Sequence, residues 1–234
     1  MNQNKFILEL KNIGIEITEF QLNQLEKYYE LLINWNKVMN LTGIVEKEEV
    51  YLKHFYDSLT ITKVVDLNNI ETLCDVGTGA GFPGIVLKIL FPKLKITLVD
   101  SLQKRIKFLN EVITTLNLKD IEALHFRVEE YAIKNKEKFD IVTARAVASL
   151  NILSEYCIPL VKENGYFIAM KGNAVEEISH IDNALENLSS KIEKIEEFKL
   201  PIEDSQRMLI SIKKIKKTSK KYPRKYNEIK KNPL

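Results

Sequence analysis

The sequence is poor in metal-binding and redox side chains, with two cysteines, Cys74 and Cys157, and three histidines. Neither cysteine stands in a C-x-x-C pair or near a histidine cluster, so a disulfide framework or a metal site is not expected. Long apolar runs are missing too. No window approaches the ~18 consecutive apolar residues of a membrane span, and MNQNKFILELKNIG at the start lacks the h-region and small-residue cleavage site of a signal peptide. The expected setting is a reducing cytoplasm without membrane attachment. What is present, 45% hydrophobic and 29% charged residues in 234, matches a folded globular chain.

An excess of one sign of charge is small overall, at net +3, but not locally. Residues 213–234 carry ten Lys/Arg against the single acid Glu228, which leaves 25 basic against 31 acidic residues in 1–212. A basic arm on an acidic body points to a polyanionic partner; a solvated, disordered tail is the plain alternative.

Residues 18–41 place Phe20, Leu22, Leu25, Tyr28, Tyr29, Leu32, Trp35, Val38 and Met39 at helical spacing behind Thr18 as N-cap, with Gly43 as the stop. Together, residues 1–65 read as a helical appendage whose aromatics serve packing. From residue 70 the period changes. ETLCDV, KITLVD, IEALHF, FDIVTA and GYFIAMK read as strands separated by helical stretches, and KIEKIEEFKL and QRMLISIKK as a closing hairpin around Pro201–Ser205. The expected fold is α/β: a Rossmann-like, mostly parallel seven-stranded sheet closed by an antiparallel hairpin. The expected organisation is an appendage (1–65), a nucleoside-cofactor domain (66–214) and a basic tail (215–234).

Glycine is also scarce, yet four of the eight fall in DVGTGAGFPG, residues 75–84. A strand that ends in bare backbone at a helix start lets a ligand approach the chain and its free N–H groups. Gly79–Gly84 fits a dinucleotide fingerprint formally. Starting instead at Gly77 explains more residues: Asp75 closes the strand facing the pocket, Gly77 and Gly79 make the turn, and Gly81 lets the ligand lie against the backbone. Asp100, ending the second strand, is placed to accept both ribose hydroxyls under either reading. The closing hairpin, in place of a second mononucleotide unit, favours S-adenosylmethionine over NAD.

Several strings, NWNKVMNLTGI (34–44), HFYDSL (54–59), DVGTGAGFPG, LVDSLQKRIKFL (98–109), RVEEY (127–131), TARAVASL (143–150) and MKG (170–172), resemble the ribosomal RNA small-subunit methyltransferase G family, also called glucose-inhibited division protein B. The resemblance implies an S-adenosylmethionine-dependent class I fold that methylates N7 of one guanine in bacterial 16S rRNA, with 16S rRNA or its precursor subunit as partner; a monomer is the separate expectation. It implies cofactor contacts from the glycine string, Phe82 included, and from Asp100 and Arg145. Val128 and Glu129 fall after the third strand, where adenine is usually gripped. Arg145 interrupts an apolar run and is also the candidate catalytic residue. His54 and Asp57 share a helical face and are read as docking the appendage, not as a catalytic dyad. Lys104, Arg105 and Lys171 are candidate RNA contacts.

One absence agrees with that reaction. The fourth strand is followed by TARAVASL and not by the N/D-P-P-Y string of exocyclic-amine methylation, and neither cysteine is placed for covalent attack on a pyrimidine. Guanine N7 already presents a lone pair and needs no base. Two other classes stay open at this point: a methyltransferase for another acceptor, and a non-catalytic RNA-binding assembly factor. The tail, carrying Tyr222 and Tyr226 for stacking on unpaired bases, is expected to matter for RNA, while a chain ending at Lys213 should bind S-adenosylhomocysteine normally.

Overall fold

Short β-branched runs alternate with helices through the middle of the chain, and the computed structural model, which describes residues 1–234, turns that alternation into one sheet. Its strands are β1 Thr72–Val76, β2 Lys95–Asp100, β3 Ile121–His125, β4 Phe139–Arg145, β5 Val161–Lys171, β6 Ser190–Lys199 and β7 Gln206–Lys214. The order is β3-β2-β1-β4-β5-β7-β6. β1 to β5 run parallel, and β7 lies antiparallel between β5 and β6. The chain winds outward from β1 in one direction and resumes at β4 in the other, so the crevice at the carboxyl ends of β1 and β4 is where such a sheet binds ligands.

The helices are α1 Gln3–Asn12, α2 Glu19–Met39, α3 Lys47–Val50, α4 Asp57–Leu59, α5 Gly84–Leu90, α6 Gln103–Thr115, α7 Val128–Lys134, α8 Leu150–Cys157, α9 Val175–Ile178, α10 Asp182–Asn187 and α11 Tyr226–Lys231. A π-helical turn, Tyr51–Tyr56, joins α3 to α4. Thr18 and Gln21 exchange bonds as a capping box at the start of α2. The helix stops earlier than expected: Asn40 takes the left-handed conformation at φ 47°, three residues ahead of Gly43.

Two apolar cores sandwich the sheet. On one side Phe6, Leu10, Leu25, Tyr28 and Phe55 are fully buried in the same cluster as Leu73, Ile85, Leu98 and Phe108. The helical appendage therefore shares its core with β1, β2, α5 and α6. On the other side the cluster built on α8 and β5 takes in Tyr222 and Ile229. The basic tail is thus docked and partly helical, and the disordered alternative does not describe it.

Candidate active site

Asp75, next to last in β1, is fully buried. Its Oδ2 accepts the N–H of Gly84 at 2.8 Å and the hydroxyl of Thr78 at 2.6 Å. Its Oδ1 has no partner in the protein. Burial pushes its carboxyl up to about 6, although the Thr78 and Gly84 donors pull the other way. Asp75 thus props the glycine loop from beneath.

The loop takes positive φ at Gly77 (65°), Gly79 (61°) and Gly81 (97°). The three glycines are needed for different reasons. A Cβ on Gly77 would stand 2.6 Å from Cγ2 of Val147, and these two residues line one cleft side by side. Gly79 has open space around it and donates its N–H to Oδ2 of Asp100 at 3.0 Å. A Cβ on Gly81 would meet Ile85 at 2.5 Å and the Tyr28 hydroxyl at 2.7 Å. Gly81 therefore serves the seating of α2 against the loop, where Tyr28 donates to the Ala80 carbonyl; it does not line the cleft, as its expected role requires.

The cleft has a volume of about 410 Å³ and is walled by Gly77, Asp100, Val128 and Glu129, four of the expected cofactor residues. Asp100 is buried, with Oδ1 on the N–H of Leu102 at 2.9 Å and Oδ2 shared between Gly79 and Arg105. Three of a carboxylate's roughly four acceptor positions are thus filled. Arg105, expected on RNA, is instead paired with this carboxylate at 3.1 Å. Glu129, in the first turn of α7, holds the Nε of Arg127 at 2.7 Å. The cleft's remaining wall includes Tyr226 and Lys230. Nothing in the local pattern of a Lys-rich tail signals that position.

Arg145 and Phe82 do not line this cleft. Arg145 and Ala146 line a second cavity of about 320 Å³, while Val147 and Ala148, next in the chain, line the first. Ala146, at φ 55°, makes the turn that divides them. The second cavity is lined by Asp57 and four cations, Lys53, Arg145, Lys171 and Arg207, of which Lys53 pairs with Glu49 and Glu203. Asp57 accepts from Arg145 at 3.2 Å and from Arg207 at 3.0 Å. His54 contacts Thr42 at 2.8 Å and Arg145 at 3.3 Å, and its ring stacks on Phe82 with centroids 4.4 Å apart. Burial and the Arg145 charge push the His54 pKa down to about 3, so the ring is neutral near pH 7. With Asp57 committed to two arginines, no acid–base dyad forms.

Lys171 donates to Ala148 O at 2.7 Å and to Glu177 at 2.8 Å, so it braces the loop after β4 from the second cavity. Lys104 is exposed on α6. Cys74 and Cys157 are fully buried and burial raises both thiols well above their usual range, which leaves neither available as a nucleophile. No group of His, Cys, Asp and Glu is placed to hold a metal ion.

A seven-stranded sheet with β7 inserted antiparallel, a glycine turn after β1 and an acid ending β2 define the class as S-adenosylmethionine-dependent methyltransferases of the Rossmann-like fold. Solved structures agree at the level of the fold. A SAM-dependent methyltransferase from Aquifex aeolicus superposes with a TM-score of 0.53 at 19% identity, covering 73% of this chain and 94% of that one. M. jannaschii TYW2 in complex with AdoMet gives 0.51 at 15% identity, over 62% and 68%. The family model for rRNA small subunit methyltransferase G matches residues 21–210. Proteins named ribosomal RNA small subunit methyltransferase G from Lysinibacillus sphaericus and Bacillus subtilis are 50% and 49% identical, over 100% of this chain and 100% and 99% of theirs. The chain belongs to the rRNA small subunit methyltransferase G family.

Proposed function

We propose that the chain, an S-adenosylmethionine-dependent rRNA methyltransferase by its family, methylates N7 of one guanine in 16S rRNA, acting as a cytoplasmic monomer. The observation that carries this reading is the pair of cavities meeting at the 145–148 loop, one with a glycine turn and a buried acid, the other ringed with cations. A nucleoside cofactor fits the first: bare backbone at Gly77 lines it beside Val147, and Asp100, fixed by three donors, keeps one acceptor position free for a ribose hydroxyl. Gly77, Asp100, Val128 and Glu129 would hold the adenosyl part. S-adenosylmethionine supplies, when bound, an electrophilic methyl group. The cations of the second cavity suit the phosphates of an extruded nucleotide.

A lone-pair acceptor asks little of the side chains. Most of the acceleration comes from holding acceptor and methyl in line, worth up to about 7–11 kcal/mol. Arg145 is read as an acceptor-side residue, fixed by Asp57, and not as a cofactor ligand. Buried cysteines and a neutral His54 with no carboxylate partner are consistent with a reaction needing neither nucleophile nor base. No helix is long and apolar enough to cross a membrane, which fits the cytoplasmic reading.

Mass-spectrometric mapping of 16S rRNA tests the proposal. A strain lacking the protein should lose one 7-methylguanosine, and the purified chain with S-adenosylmethionine should restore it; an unchanged level refutes the acceptor.

A further inference from the structure

Glu155 on α8 is a carboxylate with no exposed surface, and every hydrogen bond it receives comes from Arg224, sixty-nine residues downstream. Arg224 Nε lies 2.8 Å from Oε1 and Nη2 2.6 Å from Oε2, and the Arg224 backbone N–H adds a third donor at 2.8 Å. A buried carboxylate left unpaired is costly, so the body carries a socket that the tail completes. A residue on each side of Arg224 secures the seating. Tyr222 is buried and its hydroxyl donates to Asn187 Oδ1 at 2.8 Å; Ile229 is fully buried. Held by these anchors, Tyr226 and Lys230 come to stand on the wall of the cofactor cleft. The Arg127 guanidinium stacks 4.0 Å from the Tyr226 ring centroid and pairs with Glu129.

We infer that residues 222–231 are part of the cofactor site, with Tyr226 and Lys230 closing the adenosyl side of the cleft and the Arg224–Glu155 pair holding them there. The inference rests on the assignment of this cleft to S-adenosylmethionine. The side is set by neighbours: Tyr226 stacks on Arg127, which adjoins Val128 and Glu129. An aromatic face and a long alkyl stem ending in a cation suit a purine ring and its ribose better than they suit bulk water. Linkage makes the effect reciprocal, so bound cofactor holds the arm down as much as the arm holds the cofactor. This reverses the expectation that a chain ending at Lys213 binds S-adenosylhomocysteine normally.

The test is titration calorimetry of full-length variants with S-adenosylhomocysteine. Tyr226 is 36% exposed, so its removal leaves the core intact. Tyr226→Ala should raise Kd about fivefold, and Tyr226→Ala with Lys230→Ala by more. Arg224→Ala, which frees the arm, should raise it at least as far. Asp100→Ala serves as the control for the cleft itself. If Asp100→Ala loses binding while the tail variants bind as wild type, the arm is not part of the site and the inference falls alone. Tighter binding by Tyr226→Ala would make the arm a plug and overturn it as well. If Asp100→Ala binds normally, the cleft assignment fails and the inference with it. A second readout is independent of mutation: S-adenosylhomocysteine should slow tryptic cleavage after Lys225 and Lys230 severalfold, and an unchanged rate counts against the arm.

Discussion

Asp57 holds two arginines from one edge of the sheet, with Arg145 at 3.2 Å on Oδ2 and Arg207 at 3.0 Å on Oδ1. Asp57 lies in the helical N-terminal region, Arg145 ends β4 and Arg207 begins β7. One carboxylate, 5% exposed, therefore ties the appendage to β4 and β7, the two strands that flank β5, and aims the two arginines of the second cavity.

Asp57→Asn removes the charge and keeps the size. Breaking a buried pair by deleting one partner costs about 3 kcal/mol, because the two guanidinium groups lose their counter-charge. Denaturant unfolding should show that loss. If Arg145 orients the acceptor, methyl transfer to rRNA should also fall on the order of 100-fold, while the affinity for S-adenosylhomocysteine stays within twofold. Equal damage to cofactor affinity would return Arg145 to the cofactor.

The three left-handed glycines should respond unequally to alanine. At Gly79 the only penalty is the backbone, roughly 1–2 kcal/mol for a Cβ at positive φ, since nothing but a carbonyl at 4.0 Å stands near. Gly81→Ala meets Ile85 at 2.5 Å and Tyr28 at 2.7 Å and should lower the melting temperature the most. Gly77→Ala pushes against exposed Val147 and should weaken S-adenosylhomocysteine binding more than it weakens the fold. Thermal unfolding and calorimetry on the three variants check the ranking.

His54 gives a pH signature of known sign. Its folded pKa, about 3, lies below the ordinary 6.5, so the unfolded chain takes up the proton first. The stability it contributes is complete above pH 6.5 and is lost as pH falls through that value toward 3. Asp75 works in the opposite sense: its pKa is raised from 3.8 to about 6, so protonation between those values favours the folded chain. Comparing wild type with His54→Gln isolates the histidine. Their stability difference should move by about 1.5 kcal/mol against the wild type between about pH 6.5 and about pH 5. Parallel pH curves for the two proteins would mean that the ring is not buried as a neutral group.

Where the chain's pattern is local, it could be read directly. The β2 run, KITLVD, coincides with the strand, and the alternation of runs with helical stretches led to the sheet. Gly77, Asp100, Val128 and Glu129, read from the ends of strands, come together on one cleft. What escaped reading depends on distant partners. Whether Arg145 faces the cofactor or its neighbour turns on the left-handed backbone of Ala146 one residue later. Tyr222 was expected on RNA bases and Arg224 among free charges, yet Asn187 and Glu155 bond them, thirty-five and sixty-nine residues away. In a run so rich in lysine, two buried apolar residues leave no periodic trace.

The docked tail sharpens what its charge can do. Lys214 is buried against the Ile158 and Val161 carbonyls, and Arg224 is spent on Glu155, so neither is free for phosphate. Lys216, Lys217, Lys220 and Lys221 are exposed and lie before the segment that seats Tyr226. Replacing these four with glutamine should leave the Arg224–Glu155 anchor and S-adenosylhomocysteine affinity unchanged. Binding to 16S rRNA should weaken, and the log–log salt slope should become shallower by about 0.7 for each single-strand phosphate that is no longer neutralised. Filter binding between roughly 50 and 200 mM salt, the range over which phosphate neutralisation shows most clearly, measures that slope. A slope equal to that of the wild type would mean that these lysines are solvated and that the rRNA is held elsewhere, with the cations of the second cavity as the next place to look.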